Sequence, residues 1–325
     1  MKTRDATRQI AVWTHSGRAE AIEMAARFIE AVAGRGIECL VKPDARDAIA
    51  AHVEGEPFGV MTERADPAVE VVVVFGGDGT ILRAGEWALA ADIPILGVNL
   101  GHVGFLAELE TWQFGELVDR VVAHDYVLES RLTVSVDVFP RGAAEPAWSS
   151  VAINEVSLEK IGGQVMTEVI ASVDHLPVSR WSCDGVLVST PTGSTAYAFS
   201  AGGPVMWPDL EAFLLVPLCA HALFNRPMVL APESIVCLDL VSPVPALLWC
   251  DGKRSTEVTP GSRIVVRRGD HELTMARLSV QPFTNRLVKK FELPVEGWRG
   301  GNGSAGSAAS AASAGSAPSA SDGPV

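Results

Sequence analysis

The sequence lacks the features that mark secreted, membrane-spanning and nucleic-acid-binding proteins. Its five cysteines are odd in number and scattered, and no pair has the C-x-x-C spacing of a zinc site, so neither zinc nor a disulfide framework is indicated. No apolar run approaches the ~20 residues that span a bilayer, and residues 1–8 lack the apolar stretch of a signal peptide. The formal net charge of −13 argues against nucleic acid and anionic membranes, which bind basic patches. We therefore expect a cytoplasmic protein with no nucleic-acid or membrane partner.

The pattern of apolar residues divides the chain into parts. Residues 8–124 alternate short apolar strands with amphipathic helices, which predicts an α/β domain with a parallel sheet. Residues 125–281 contain short alternating segments separated by Gly, Pro and Asp, which predicts a mostly antiparallel β domain. Residues 282–298 mix apolar and basic positions, and we expect them to return to the first domain. Residues 299–325 are largely glycine, serine and alanine, too poor in apolar surface to offset the entropy of ordering, so they predict a disordered tail.

The most informative stretch is residues 71–80, VVVVFGGDGT. Its apolar run predicts a central parallel strand that is buried on both faces. The glycines let the chain turn sharply and let a ligand approach the backbone. Because α/β proteins bind ligands at the carboxyl ends of parallel strands, we interpret Asp78 as a residue with a chemical role. Plain turn chemistry, in which Asp and Gly are common, is the alternative.

Polar residues at three further places are unusual for ordinary strands and loops. Residues 99–106 hold two glycines around a histidine, which fits either a ligand-facing loop or a plain strand-to-helix connection. Asn154 and Glu155 lie within an apolar strand predicted over 151–158. They are either a ligand-binding pair or a structural pair whose hydrogen bonds are satisfied within the protein. Asp184 comes directly before another buried strand.

Residues 189–197, STPTGSTAY, are rich in hydroxyl groups and end on a tyrosine. Hydroxyls both donate and accept hydrogen bonds, and an aromatic ring offers a face on which a base can stack. The stretch therefore predicts a nucleoside site, although hydroxyl-rich turns also occur for structural reasons.

Taken together, these segments resemble the signature segments of the NAD kinase family. The match consists of FGGDGT at 75–80, LGHVGFLAE at 100–108, NE at 154–155 and DGVLVSTPTGSTAY at 184–197, in this order. It covers about residues 8–298 and looks like the actinobacterial branch. The resemblance implies transfer of the γ-phosphoryl group of ATP to the 2′-hydroxyl of the adenosine ribose of NAD, which gives NADP.

The resemblance also implies a role for each site residue. Asp78 would be the general base that takes the proton from the attacking hydroxyl, beside donors that hold the phosphates. The phosphate-binding residues would be Gly76, Gly77, Gly79 and Thr80. The NAD-binding residues would be Asp78, Gly79, Arg83, Asn154, Glu155, Asp184, Thr195, Ala196, Tyr197 and Ser200.

Within that set, Asn154 and Glu155 would bind ribose hydroxyls and Asp184 would lie near the nicotinamide half. Thr195, Ala196 and Tyr197 would line the adenine pocket, with Ser200 close by. Arg83 would neutralise phosphate charge, unless it is simply a solvated arginine. Some relatives use basic residues between 161 and 182 to contact the cofactor, but this chain has only Arg180 there, so none is assigned.

The implied cofactor is Mg²⁺ or another divalent cation carried on the ATP phosphates, since no carboxylate cluster suggests a separate metal site. Family habit implies a homodimer or homotetramer formed through the β domain. Inorganic polyphosphate as donor and NADH as acceptor stay open. Two other classes also stay open: a lipid kinase with the same glycine motif, which would need an apolar acceptor pocket, and a non-catalytic dinucleotide sensor, which would not need Asp78.

Overall fold

The computed structural model describes residues 8–15, 17–100, 104–107, 114–162, 165–278 and 282–294. The disordered tail predicted at 299–325 lies outside the described residues. Helices α1 (Ala19–Ala33), α2 (Arg46–Ala50), α3 (Asp78–Leu89), α4 (Phe114–Ala123), α5 (Tyr197–Ser200) and α6 (Phe283–Phe291), with a 3₁₀ turn at Thr192–Thr195, accompany three sheets. Among the helices of these ranges, none combines the length and the apolar character needed to cross a membrane.

The first domain is built on a seven-stranded sheet with the strand order β3-β2-β1-β4-β5-β19-β6. Its strands are β1 (Gln9–Thr14), β2 (Glu38–Val41), β3 (Phe58–Val60), β4 (Val69–Phe75), β5 (Ile95–Val98), β6 (Val127–Arg131) and β19 (Leu273–Arg277). All neighbours pair in parallel except β6, which is antiparallel to β19. The prediction of an α/β domain with a parallel sheet is confirmed.

Burial on both faces explains the unbroken valine run of β4. Val71, Val73 and Phe75 belong to the core under α1 and α4, whereas Val72 and Val74 belong to the core under α3. Because successive side chains of a strand point to opposite faces, a strand with helices on both sides needs an apolar residue at every position. This places the carboxyl end of β4, and the glycines after it, at the centre of the sheet edge.

The second domain is a sandwich of two six-stranded antiparallel sheets, ordered β11-β10-β15-β18-β7-β8 and β14-β13-β12-β9-β16-β17. The strands are β7 (Val134–Phe139), β8 (Trp148–Ala152), β9 (Glu155–Lys160), β10 (Thr167–Val173), β11 (Leu176–Cys183), β12 (Gly185–Ser189), β13 (Phe213–Leu218), β14 (Met228–Leu230), β15 (Val236–Leu240), β16 (Ala246–Cys250), β17 (Arg254–Val258) and β18 (Arg263–Arg268). Val136, Trp181 and Val186 are among the buried residues that fill the space between the sheets. The antiparallel prediction is confirmed.

Two details differ from the sequence-based expectations. The strand predicted over 151–158 is two strands, because the chain leaves β8 and enters β9 of the opposite sheet around Asn154. The first sheet also takes in β6, which lies beyond the expected boundary at 124, and β19, which precedes the expected return at 282. Long-range pairing of this kind leaves no local trace in the sequence.

The two domains pack together through α3. A β-carbon at Gly85 of α3 would lie 2.6 Å from Cδ1 of Ile153, and Ile153 belongs to the same buried cluster as Ile81 and Leu273. The helix that begins at Asp78 therefore rests directly on the segment that carries Asn154.

Candidate active site

The turn after β4 depends on a glycine. The N–H of Gly76 donates to the carbonyl of Val98 at 3.1 Å, and α3 begins at Asp78. A β-carbon at Gly76 would lie 2.8 Å from both Cβ and Oγ1 of Thr80, so no larger residue fits without moving the helix. The turn thus brings the N-terminus of α3 to the carboxyl edge of the sheet, where backbone N–H groups attract anions.

Two backbone N–H groups bind the carboxylate of Asp78. The N–H of Phe105 donates to Oδ2 at 2.9 Å, and the N–H of Leu106 donates to Oδ1 at 3.1 Å. A β-carbon at Gly104 would overlap Oδ1, which explains the glycine there. Each carboxylate oxygen keeps a further lone-pair direction, so the group is fixed in orientation and can still accept a proton. Residues 101–103 of this loop lie outside the described residues.

Asn154 and Glu155 are held by a buried carboxylate that the sequence analysis missed. The side chain of Asp251, at 0% exposure, accepts hydrogen bonds from the N–H groups of Ile153, Asn154 and Glu155 at 2.6–3.3 Å. Burial raises the pKa of Asp251, and the backbone hydrogen bonds and Arg254 oppose this shift. The sequence does show an Asp-Gly pair after a predicted strand, but such a pair is typical of an ordinary hairpin turn and does not indicate a site residue.

Glu155 is buried, and its pKa is raised to about 8, first by burial and then by the charge of Asp251. A hydrogen bond from the N–H of Tyr197 acts in the opposite direction. Its Oε2 has no hydrogen-bond partner among the described residues. The contact with Tyr197 brings the Asn-Glu pair and the predicted nucleoside stretch together.

Several hydroxyl groups of residues 189–195, which the sequence predicted to face a nucleoside, instead bind the protein backbone. Ser189, Thr190 and Ser194 are fully buried and bind the backbone: Thr190 Oγ1 donates to the carbonyl of Ile153 at 2.6 Å, and Ser194 Oγ donates to that of Pro191 at 2.7 Å. The hydroxyls of Ser189 and Thr190 fasten the turn to the Asn154 segment, and that of Ser194 binds Pro191 and Met206. The hydroxyl density is therefore mainly structural.

The residues that reach the surface of this turn are the predicted adenine-pocket residues. Thr195 and Ala196 are half-buried, while Tyr197 and Ser200 are exposed. The Tyr197 ring lies within the electrostatic reach of Asp184, Glu155 and Glu159. The structure therefore gathers the predicted nucleoside residues around one exposed ring.

Asp184 is paired with a lysine that the sequence analysis did not assign. Lys160 Nζ lies 2.6 Å from Oδ1 of Asp184, and both side chains are about one-third exposed. Lys160 ends β9, the strand that begins at Glu155, and β12 begins beside Asp184, so the β9–β12 pairing brings the two together. Arg180, which was left unassigned, binds Glu168 on the adjacent strand.

Two cationic side chains lie at the N-terminus of α3. Arg83 Nη2 is 3.4 Å from Oγ1 of Thr80, and Lys253 Nζ donates to the carbonyl of Gly79 at 3.3 Å. Burial, followed by the charge of Arg83, lowers the pKa of Lys253. The charges of Glu86 and Asp251 oppose this shift, and the action of Arg83 on Lys253 shows that the two positive charges lie near each other at this turn. Lys253 is a further residue that sequence reasoning missed.

The turn at 251–254 joins the two halves of the site. Asp251 holds the Asn154–Glu155 backbone, Lys253 contacts Gly79, and Arg254 Nη2 lies 3.1 Å from Oε1 of Glu86 on α3. Residues on one hairpin thus fix the glycine turn of the first domain against the nucleoside segment of the second. Within the parts of the chain that the structure covers, no group of three or more His, Cys, Asp or Glu side chains is arranged to hold a metal ion.

A glycine turn at a helix N-terminus, a fixed carboxylate, two cations and an exposed aromatic ring are the features expected of a nucleotide-dependent phosphotransferase, here on two domains. Comparison with known proteins gives the family. The model of the ATP-NAD kinase N-terminal domain matches residues 10–126, and that of the ATP-NAD kinase C-terminal domain matches residues 153–278. The chain therefore belongs to the NAD kinase family and is an enzyme of that family.

Curated relatives and solved structures agree. The chain is 56% identical over 297 residues to the NAD kinase of Cutibacterium acnes, covering 91% of this chain and 93% of that protein. It is 46% identical to NAD kinase 2 of Streptomyces coelicolor, covering 92% and 99%. A yeast NADH kinase complexed with NADH shares the fold at a TM-score of 0.80 and 20% identity, covering 90% and 89%. An Archaeoglobus fulgidus NAD kinase in complex with ATP gives a TM-score of 0.67 at 26% identity, covering 87% and 98%.

Proposed function

We propose that this enzyme transfers the γ-phosphoryl group of ATP to the 2′-hydroxyl of the adenosine ribose of NAD, which yields NADP. The observation that carries the proposal is the position of the Asp78 carboxylate. It lies in the first turn of α3, the turn that Arg83 and Lys253 contact at Thr80 and Gly79, and α3 packs against the Asn154 segment. The NADH in the yeast structure and the ATP in the archaeal one support a dinucleotide and ATP as the two ligands.

On the acceptor side, Tyr197 stacks on the adenine, with Thr195, Ala196 and Ser200 around it. Asn154 and Glu155 bind ribose hydroxyls, and Asp184 lies towards the nicotinamide half. The contact between Glu155 and the N–H of Tyr197 supports a single pocket for base and ribose. Because the pKa of Glu155 is raised to about 8, its carboxyl group is largely protonated near neutral pH and can donate a hydrogen bond.

On the donor side, the phosphates lie against the glycine turn (Gly76, Gly77, Gly79 and Thr80). Gly77 and Gly79 offer their backbone N–H groups, because those of Gly76 and Thr80 donate to the carbonyls of Val98 and Gly77, and Arg83 and Lys253 neutralise the phosphate charge. Asp78 accepts the proton of the 2′-hydroxyl while the hydroxyl oxygen bonds to the γ-phosphorus. The bond between that phosphorus and the bridging oxygen breaks, and ADP leaves. The two N–H bonds to Asp78 hold its carboxylate in one orientation during this step.

We propose that Mg²⁺ arrives with ATP. Apart from the single carboxylate of Asp78, the groups that contact the glycine turn are N–H donors and cations, whereas Mg²⁺ prefers several oxygen ligands such as carboxylates and phosphates. The metal would neutralise phosphate charge. NADP formation should therefore stop when divalent cations are removed from the assay and resume when Mg²⁺ is added with ATP.

We also propose a cytoplasmic homodimer or homotetramer. All five cysteines are free, and four of them are buried, as expected in a reducing compartment. Leu176 and Val178 are 71% and 43% exposed on β11, an edge strand of the sandwich. An exposed apolar edge is a common interaction surface. Light scattering at micromolar concentration that gave only the monomer mass would contradict the assembly.

The deciding experiment compares the parent enzyme with Asp78→Asn, using NAD and either ATP or polyphosphate as donor. Asparagine keeps the size of the side chain but cannot act as the base, so kcat should fall by roughly 10²- to 10⁴-fold. ATP and NAD affinities are measured separately by calorimetry, because loss of a negative charge beside the phosphates can tighten ATP binding.

Asp47→Asn is the matched control, because Asp47 also lies in the first turn of a helix of the same domain and is exposed. It should leave kcat unchanged. If Asp78→Asn turned over within about threefold of the parent, well short of the loss of a base, another group would be the base, and Glu155 would be the next to test.

A further inference from the structure

The loop that binds the Asp78 carboxylate is itself held by two arginines from the last part of the described chain. Arg286 on α6 donates from Nη1 to the carbonyl oxygen of Phe105 at 3.0 Å. Arg277, the last residue of β19, donates from Nη1 to the carbonyl oxygen of Leu106 at 2.9 Å. Neither arginine belongs to a segment with a nucleotide-site motif.

Arg286 is connected to Asp78 through a single peptide group. The carbonyl of Phe105, which accepts from Arg286, and the N–H of Leu106, which donates to Oδ1 of Asp78, belong to the same peptide unit. Hydrogen bonds in a chain polarise one another and become stronger, and a charged donor has the larger effect. The guanidinium thus both places this peptide and strengthens its hydrogen bond to the carboxylate.

Aromatic contacts attach α6 to the same loop. The rings of Phe283 and Phe291 each lie 5.8 Å from the ring of Phe105, within the range of favourable aromatic pairs. Phe291 also lies 4.6 Å from Phe199 of α5, the helix that begins at Tyr197. No residue of α6, all of which is described, is fully buried, so contacts such as these and the bond from Arg286 hold the helix in place.

Arg286 also lies within electrostatic reach of Glu129, but Arg277 is the more deeply buried of the two arginines. It is 4% exposed and binds Glu129, which also pairs with the buried Arg131. Removing Arg277 would leave buried charge without its partner, which is strongly destabilising. The half-buried Arg286 is therefore the residue on which the idea can be tested in a folded protein.

We propose that Arg286 is a positioning residue for phosphoryl transfer, which fixes the orientation of the Asp78 carboxylate through the Phe105–Leu106 peptide. This inference rests on the proposed role of Asp78 as the general base. It gives α6 a function in the reaction that acts through the peptide bound to Asp78.

The test replaces Arg286 by methionine, which keeps the apolar stem and removes the charged donor. We expect kcat to fall by about 10- to 100-fold, because a small misplacement of a reacting group has an effect of this order. KM for NAD and for ATP should change little, because Arg286 binds neither substrate. Arg286→Lys should recover part of the loss, and Arg286→Gln should not.

The same substitution is then made in the Asp78→Asn background. If Arg286 acts through the carboxylate, Arg286→Met should have no further effect on the residual rate once the base is gone. A merely structural role would lower the rate by the same factor in both backgrounds, and that result would overturn the inference.

Arg8→Met is the matched control. Arg8 also holds backbone carbonyls, those of Val121 and Val122, but it lies at the end of the sheet away from Asp78. It should lower the melting temperature without lowering kcat.

The inference and the proposed function can fail separately. If Asp78→Asn is impaired but Arg286→Met keeps kcat within about twofold, far from the loss expected of misplacement, the inference alone is overturned. If Asp78→Asn keeps full activity, the proposed base is wrong whatever Arg286 does. Melting curves for each variant show whether a loss of rate reflects a loss of fold.

Discussion

Replacing Glu155 by glutamine should change how the stability of the ligand-free enzyme depends on pH. The pKa of Glu155 is raised from 4.5 to about 8 in the folded chain, by burial and by the charge of Asp251. A carboxyl with a higher pKa in the folded state binds its proton more tightly there than in the unfolded chain. The free energy of unfolding therefore falls as the pH rises from 4.5 to about 8, and this contribution is constant above that range.

The size of the effect follows from the pKa difference. One pKa unit corresponds to about 1.4 kcal/mol, so the full change from pH 4.5 to pH 8 is on the order of 4 kcal/mol. Glutamine resembles the protonated acid and carries no charge at any pH. The stability of Glu155→Gln relative to the parent should therefore rise steadily across this range.

The assay is chemical denaturation of parent and variant at half-unit pH steps from 4.5 to 8.5, since the titration of groups that do not interact with Glu155 cancels in the difference. Glu233→Gln, at an exposed position, controls for the change of one unit in net charge. If the difference for Glu155→Gln followed that of the control at every pH, the burial and charge argument for Glu155 would be refuted.

Two further predictions concern substrate binding. Lys253→Met should lower kcat/KM for ATP by about 10- to 100-fold, the value of a charge-assisted hydrogen bond of about 1.5–3 kcal/mol, and should leave KM for NAD unchanged. Lys253→Arg should retain most of the activity. Steady-state kinetics with each substrate varied in turn is the test, and a rise in KM for NAD instead would contradict the donor role. Tyr197→Ala should raise KM for NAD with a small effect on kcat, because stacking on the base contributes the same binding energy in the ground state and in the transition state. A fall in kcat at unchanged KM would contradict stacking.

Local features of the chain predicted much of the first domain. The valine run before Gly76 identified the central strand, because a strand buried on both faces needs an apolar residue at every position. Asp78 was identified for the same local reason, since the strand, the turn and the helix that place it are adjacent in sequence. The two-domain class followed from the change of pattern near residue 125, although the membership of β6 and β19 in the first sheet did not.

The hydroxyl-rich turn shows where local reasoning ends. Sequence alone indicated that residues 189–197 belong to the site, but it could not separate Ser189, Thr190 and Ser194, which bind the backbone, from Tyr197, which faces outwards. That division depends on which side of the turn packs on the Asn154 segment, and this segment comes from another strand.

The sequence by itself determined the class of fold, the family and the position of Asp78, because each depends on residues that are neighbours along the chain. Only the tertiary structure brought Asp251 beneath Glu155, Lys253 to the start of α3 and Arg286 to the Phe105 carbonyl. These partners are separated by about a hundred residues or more, and their contacts arise from sheet pairing and domain packing. No local pattern encodes them, since a buried carboxylate or a bridging arginine has the same appearance in sequence as an ordinary surface charge.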